Sequence, residues 1–187
     1  AVVALASSGI HSNGFSLVRH ILKTRGISVT DTVPEFNRTV GLELLEPTRL
    51  YTSPLLETIA AHPGAIHSLS HITGGGIAAN LARVLPPGVW VDVDRSTWSP
   101  ANIFRVLSEW AKTPLQETEG TWNLGVGMMA VVAHESASTL VREWSAAGID
   151  AWVVGQVSDR EHELSAYTVG AKGVDGGAVR LVGDYAD

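Results

Sequence analysis

Two stretches of the chain hold most of the side chains that could do chemistry, and they are built alike. The first is Ser7-Ser8-Gly9-Ile10-His11-Ser12-Asn13-Gly14, and the second is His71-Ile72-Thr73-Gly74-Gly75-Gly76. Each follows an apolar segment of strand character and runs into a segment of helical spacing. Glycines let successive backbone N–H groups converge on one point, and a helix N-terminus behind them favours negative charge. A phosphate, carboxylate or amidine group suits such a mouth. His11 and His71 can donate a hydrogen bond or move a proton, which makes them the candidate catalytic pair. Ser8, Gly9, Ser12, Asn13 and Gly14, with Thr73, Gly74, Gly75 and Gly76, are the candidate substrate contacts. The rival reading is that three glycines at a strand–helix junction simply turn the chain.

A third glycine-marked segment, Trp122-Asn123-Leu124-Gly125-Val126-Gly127-Met128, reads as a bend feeding a central strand. Asn123 is placed there to orient a ligand or to hold the turn. Asp92 and Asp94 alternate along a strand and, with Arg95, could edge a site; for Asp92 a polar outer face is the stronger reading. Trp98 is expected near an opening. Neither GxxxxGK[ST] nor GxGxxG follows a first strand, so neither a Walker-type nor a Rossmann-type cradle is supported. Serine hydrolysis lacks its GxSxG elbow. Seven histidines are present, His162 among them, but no HExxH motif, and no metal site is expected.

Composition narrows the classes further. With no cysteine, disulfides, thiolate metal sites and cysteine nucleophiles are excluded, and a cytoplasmic, reducing setting is expected. A formal charge of -6 argues against nucleic acid as a partner. The apolar opening AVVALA is too short to span a membrane and has no basic flank, so it reads as a buried strand. Beginning in mid-strand without an initiator methionine, the chain is expected to be a piece of a longer protein.

The elements that must position these loops follow from periodicity. Strands are predicted over 2–6, 66–72, 89–93, 128–133 and 151–157. Helices are predicted after Asn13 (capped by Ser12 or Asn13, stopped by Gly26), after Pro54, after Gly76, after Pro100 and over 136–148. The stripe behind Pro54 is Leu55, Leu56, Ile59 and Ala60. Residues 28–38 read as loop, and 39–45 as one or two helical turns. After a polar run at 159–161, segments 164–169 and 178–182 could form a terminal hairpin. Interleaved strands and helices without a second core predict one α/β domain, three layers α/β/α with a mixed sheet.

Taken in order, these segments resemble a known family. Residues 4–19, ALASSGIHSNGFSLVR, closely resemble the opening of the C-terminal domain of phosphoribosylformylglycinamidine cyclo-ligase, also called aminoimidazole ribonucleotide synthetase. Leu45-Glu46-Pro47-Thr48-Arg49-Leu50-Tyr51, His71–Gly76 with Asn80-Leu81, Asn123–Met128 and Trp152–Val157 match further family segments. Relatives sharing the domain type are formylglycinamidine synthetase, selenophosphate synthetase, thiamine-monophosphate kinase and a hydrogenase maturation protein. The resemblance covers roughly 2–157, giving a domain at 1–157 and a less recognisable tail at 158–187. It implies an ATP-dependent ring closure in purine synthesis and a cytoplasmic homodimer acting on a phosphorylated small molecule. ATP and Mg2+ would be used by the complete enzyme, with an N-terminal domain supplying much of their site, so this piece alone is expected to be inactive and to bind neither tightly. It also implies that the glycine loops and their histidines serve the substrate. A different relative's substrate, or a non-catalytic ligand-binding module, are the alternatives.

Overall fold

The computed structural model describes residues 1–159, 163–171 and 173–187. Arg160, Glu161, His162 and Lys172, and with them most of the polar run at 159–161, lie outside the described residues.

In chain order the strands are β1 (Val2–Ala6), β2 (Thr32–Val33), β3 (Arg38–Thr39), β4 (Ile66–His71), β5 (Trp90–Asp94), β6 (Val126–Val132), β7 (Ala151–Ser158), β8 (Thr168–Ala171) and β9 (Val174–Val182). The α-helices are α1 (Phe15–Arg25), α2 (Val40–Leu44), α3 (Thr52–Ala61), α4 (Gly76–Ala82), α5 (Asn102–Ala111) and α6 (Ala137–Ala146). Seven strands make one sheet in the order β4-β6-β1-β7-β5-β9-β8. Neighbours are antiparallel except β5 and β9, which are parallel, so the sheet is mixed as the interleaved pattern predicts.

Strand β1 is buried on both faces and shows how the layers form. Val2 and Ala4 face one side, against α4 and the apolar residues Val91, Val93 and Val179. Val3 and Leu5 face the other, against Leu55 of α3 and Leu140 and Trp144 of α6. A continuous apolar run in a short strand is what two covering layers demand. Beside the first layer, α1 and α5 close a further cluster around Phe104, Leu107 and Trp122.

Several local readings need correction. Neither Ser12 nor Asn13 caps α1; Gly14 stands at that position with φ 70°, and no side chain bonds the helix end. Segment 28–38 is not plain loop, because β2 and β3 pair as a small hairpin around a 3-10 turn at Pro34–Phe36. On α3, Leu56 and Ile59 are 59% and 42% exposed, whereas Leu55 and Thr58 face inward. The inward face continues from Tyr51 through Leu55 to Thr58, whose hydroxyl accepts the Trp144 indole N–H at 3.0 Å. The periodicity there was apolar on the wrong side because a threonine holds one of the buried positions. Trp98 is not at an opening. It is 6% exposed, with its indole N–H donating to the Leu124 carbonyl at 2.9 Å.

Candidate functional site

Residues 7–14 leave β1 and residues 72–75 leave β4, on either side of β6, and the two loops meet. One hydrogen bond ties them directly: Gly74 N–H donates to Asn13 Oδ1 at 3.1 Å. Asn13 in turn donates from Nδ2 to the His11 carbonyl at 2.8 Å, which holds its amide across the gap. The rings of His11 and His71 lie 6.5 Å apart, and Tyr51 stands 6.1 and 6.3 Å from the two. Thus the two histidines singled out by type do come together, with a tyrosine completing the group.

The two are not equivalent. His71 is exposed at the end of β4, while His11 is only 4% exposed. His11 Nε2 accepts N–H bonds from Ser8 at 2.9 Å and Arg49 at 3.3 Å, so the ring proton sits on Nδ1 and the imidazole is neutral. Nδ1 is buried with no hydrogen-bond partner. Burial, followed by the nearby His71 and Arg49, holds the His11 pKa down to about 4. Tyr51 is likewise buried, which pushes its hydroxyl well above the usual range, and it donates to the Ala6 carbonyl at 2.8 Å. His11 and Ser12 adopt φ of 54° and 60°, a left-handed pair of non-glycine residues that only a well-determined loop sustains. Gly127 makes room for the ring group: a Cβ there would lie 2.0 Å from Tyr51 Oη and 2.6 Å from His11 Cε1.

The glycine loop is anchored from below. Gly75 N–H donates to the Gly120 carbonyl at 3.1 Å and Gly76 N–H to the Thr73 carbonyl at 3.0 Å. With Gly74 bound to Asn13, all three amides are engaged by protein, which corrects the expectation of an open amide cradle. A Cβ on Gly76 would come within 1.5 Å of the Glu119 carbonyl oxygen, and one on Gly14 within 2.4 Å of the Trp122 indole nitrogen. Segment 119–122 is therefore a floor shared by both loops. Gly74 is different, since a Cβ there meets nothing within 4 Å. Buried Asn80, which sequence reasoning did not weigh as a site residue, accepts the Thr73 hydroxyl at 3.1 Å and donates to the carbonyls of Thr73 and Gly76 at 3.0 and 2.7 Å.

Of the candidate contacts, Ser12, Gly74 and His71 are the exposed ones. Ser8 donates its hydroxyl to the Pro47 carbonyl at 2.6 Å, and Gly9 offers its carbonyl to Asn123 at 2.9 Å. Asn123 is 1% exposed and turned into the protein: its Oδ1 accepts Ser7 Oγ–H at 3.1 Å and Gly125 N–H at 2.9 Å. Of its two sequence readings, holding the turn is the one the geometry supports. Asp92, Asp94 and Arg95 are each committed to protein partners. Asp92 pairs with Arg180 at 2.7 Å, Asp94 accepts Ser96 N–H at 2.9 Å, and Arg95 grips Glu119 at 2.6 and 2.9 Å. Tyr51 and Asn80 stood within the family-like segments 45–51 and 80–81 but were not weighed as site residues, and Glu119 carried no signal at all; their contacts here are set by long-range packing.

Among the described residues no group of three or more His, Asp or Glu side chains could hold a metal ion, and no helix is long and apolar enough to cross a membrane.

Residues 1–166 match the family described as AIR synthase related protein, C-terminal domain. A Streptomyces fradiae protein provisionally named phosphoribosylformylglycinamidine cyclo-ligase is 46% identical over 187 residues, all of this chain and 97% of that protein. The phosphoribosylformylglycinamidine cyclo-ligase of Sorangium cellulosum is 42% identical over 158 residues, 84% of this chain and 45% of the relative. That of Pseudothermotoga lettingae is 38% identical over 157 residues, and the chain spans 45% of its length too. Among solved structures, thiamine-monophosphate kinase from Stenotrophomonas maltophilia has the same fold, with a TM-score of 0.60 at 16% identity over 99% of this chain and 50% of that one. The family model matched over residues 1–166 and relatives at 38–46% identity lead to one conclusion: the chain belongs to the AIR synthase related, C-terminal domain family.

Proposed function

We propose that the chain is the substrate-facing C-terminal half of an ATP-dependent cyclo-ligase that closes formylglycinamidine ribonucleotide to aminoimidazole ribonucleotide, in a cytoplasmic homodimer. The observation that carries this is the joined pair of loops, tied by Asn13 and Gly74, in a chain 46% identical to a protein named for that activity. In this reaction the formyl amide oxygen attacks the γ-phosphorus of ATP and ADP leaves. The ribose-bound amidine nitrogen then attacks the activated carbon, the C–O bond breaks to release phosphate, and a proton is lost as the ring becomes aromatic.

Each group of this chain has a part in that scheme. The loops hold the substrate by its phosphate and amidine ends at the exposed positions Ser12 and Gly74, where Gly74 offers open space for the ligand rather than a free amide, above the floor at 119–122. His71, exposed at the mouth, holds or moves the proton at the closing ring. His11, neutral and buried, keeps the first loop in its left-handed turn, so its part is positional. Mg2+ accompanies ATP in the complete enzyme. Its ligands are proposed to come from the N-terminal half of the complete enzyme, since among the described residues of this half no three His, Asp or Glu side chains converge.

The test is reconstitution. The chain is mixed with the N-terminal half of the Sorangium cellulosum cyclo-ligase, ATP, Mg2+ and formylglycinamidine ribonucleotide, and aminoimidazole ribonucleotide is measured. Product is expected from the mixture and negligible product from the chain alone. Turnover of thiamine monophosphate in place of the expected substrate, or product from the chain by itself, would overturn the reading.

A further inference from the structure

The family match stops at residue 166 and three of the cyclo-ligase relatives align over 157–163 residues, whereas the Streptomyces fradiae protein aligns over all 187, and none of these matches gives the C-terminal segment a role. That segment is not loose. After β9 the Gly183 carbonyl accepts Arg95 Nη1–H at 3.0 Å, Ala186 N–H donates to the Trp98 carbonyl at 3.1 Å, and the Ala186 carbonyl accepts Arg105 Nη2–H at 2.7 Å. Between these anchors Tyr185 packs edge-on to Trp98 at 5.2 Å and donates its hydroxyl to Glu119 Oε1 at 2.7 Å.

Glu119 connects this segment to the site. Both of its oxygens are held by Arg95, at 2.6 and 2.9 Å, in a pair whose side chains are only 14% and 18% exposed. A two-point arginine–carboxylate contact fixes orientation as well as charge. The backbone of the same residue lies directly beneath Gly76, and its neighbour Gly120 accepts Gly75 N–H. One residue thus has its side chain locked by the C-terminus and its main chain under the glycine loop. The arrangement also pairs the Glu119 carboxylate beneath the glycine loop with a guanidinium, so that it presents no uncompensated negative charge there.

We propose that Tyr185 is a positioning residue: through Glu119 it sets the floor beneath the glycine loop, so that the last five residues of the chain belong to the site. It touches neither substrate nor reacting atoms. A hydrogen bond from a half-buried phenol to a carboxylate is among the stronger single contacts, and its loss frees the Glu119 side chain on one side while Arg95 remains.

The experiment compares the wild-type chain with Tyr185→Phe, which keeps the ring and removes the donor, and with a chain ending at Val182. Backbone amide exchange is followed at 74–76 and 119–122, with α6 on the opposite layer as internal reference. Exchange at the two loop segments is expected to rise about tenfold in Tyr185→Phe while α6 stays unchanged, and to rise further in the shortened chain. Unchanged loop exchange in Tyr185→Phe, or an equal rise in α6, overturns the proposal; should the shortened chain not fold, the phenylalanine variant alone decides it. A second arm rests on the cyclo-ligase reading: in the reconstituted enzyme, assayed well below the variant's melting transition, Tyr185→Phe lowers kcat/KM about tenfold. Wild-type inactivity in that arm counts against the cyclo-ligase reading only. Normal kcat/KM in an active mixture counts against the role of Tyr185.

Discussion

At the scale of residues, the two histidines that look alike in the sequence are separated by burial. His11 is neutral, with Nε2 accepting two main-chain N–H groups, so its replacement should act on stability and its acid behaviour should be visible in folding. Its pKa is about 4 in the folded chain against 6.5 for an unperturbed imidazole. Between those values the unfolded chain binds more protons, so stability falls as pH drops from 6.5 towards 4 and is fully present above 6.5. The shift amounts to roughly 3 kcal/mol across that window. Urea unfolding of wild type at pH 7, 5.5 and 4.5 should show this loss, and His11→Gln, whose amide oxygen can still accept an N–H, should show a flatter profile. Parallel profiles would remove His11 from the acid response. In the reconstituted enzyme His71→Ala should lower kcat more than it raises KM, with little change in melting temperature. The glycines divide in the same way. Gly76→Ala drives a Cβ into the Glu119 carbonyl and carries φ 70°, whereas Gly74→Ala meets open space. A thermal melt should show Gly76→Ala destabilised by roughly 2 kcal/mol or more and Gly74→Ala by less than about 1 kcal/mol. Any loss of substrate affinity in Gly74→Ala would then report contact, because so small a change in stability leaves the chain folded.

At the scale of elements, what was legible in the sequence depended on how local the cause was. Strand β1, with five consecutive apolar residues closed by Ser7-Ser8-Gly9, and α5, with Ile103, Phe104 and Leu107 on one face, are written in nearest-neighbour patterns, and their boundaries lie within a residue or two of expectation. The helix start at Gly14 was misread because its reason lies elsewhere: the indole of Trp122 and the methyl of Thr121 leave no room for a larger residue. The position of β9 is equally non-local. It runs parallel to β5 beside α4, and this approach is possible because Gly176 and Gly177 pass the helix end; a Cβ on Gly176 would be 2.2 Å from the Ala82 carbonyl oxygen. Gly176→Ala should therefore push β9 off α4 and lower the melting temperature by several degrees, corresponding to about 1–3 kcal/mol. An unchanged melt would mean that β9 can shift without cost, which would also weaken the anchoring of residues 183–186 behind it.

At the scale of the whole molecule, the sequence carried the fold class and the pairing of the two loops, but not the distribution of work between this chain and the rest of its relatives' length. The loops were found because glycine, histidine and asparagine are informative types at strand–helix junctions. The floor at 119–122 and its connection to Tyr185 were not, since they join residues 66 positions apart through ordinary ion-pair and phenol contacts. The carboxylates of the described ion pairs with arginine are committed in the same way: Glu119 to Arg95, Asp92 to Arg180, Glu43 and Glu46 to Arg38. A divalent cation would have to break one of these pairs or bind a lone carboxylate, and among the described residues no three ligands converge. The chain should consequently melt at the same temperature in 5–10 mM Mg2+ (roughly the concentration that would saturate a weak site) and in excess chelator. If a site existed and were filled to a hundred times its Kd, binding would add about 2.7 kcal/mol and raise the melting temperature by roughly 5–10 °C for a chain of this size. A rise of that order in Mg2+, reversed by chelator, would place the metal on this half and overturn the division of labour proposed for the two halves. No shift in the chain alone, with a clear shift once the N-terminal half is added, is the outcome that division predicts.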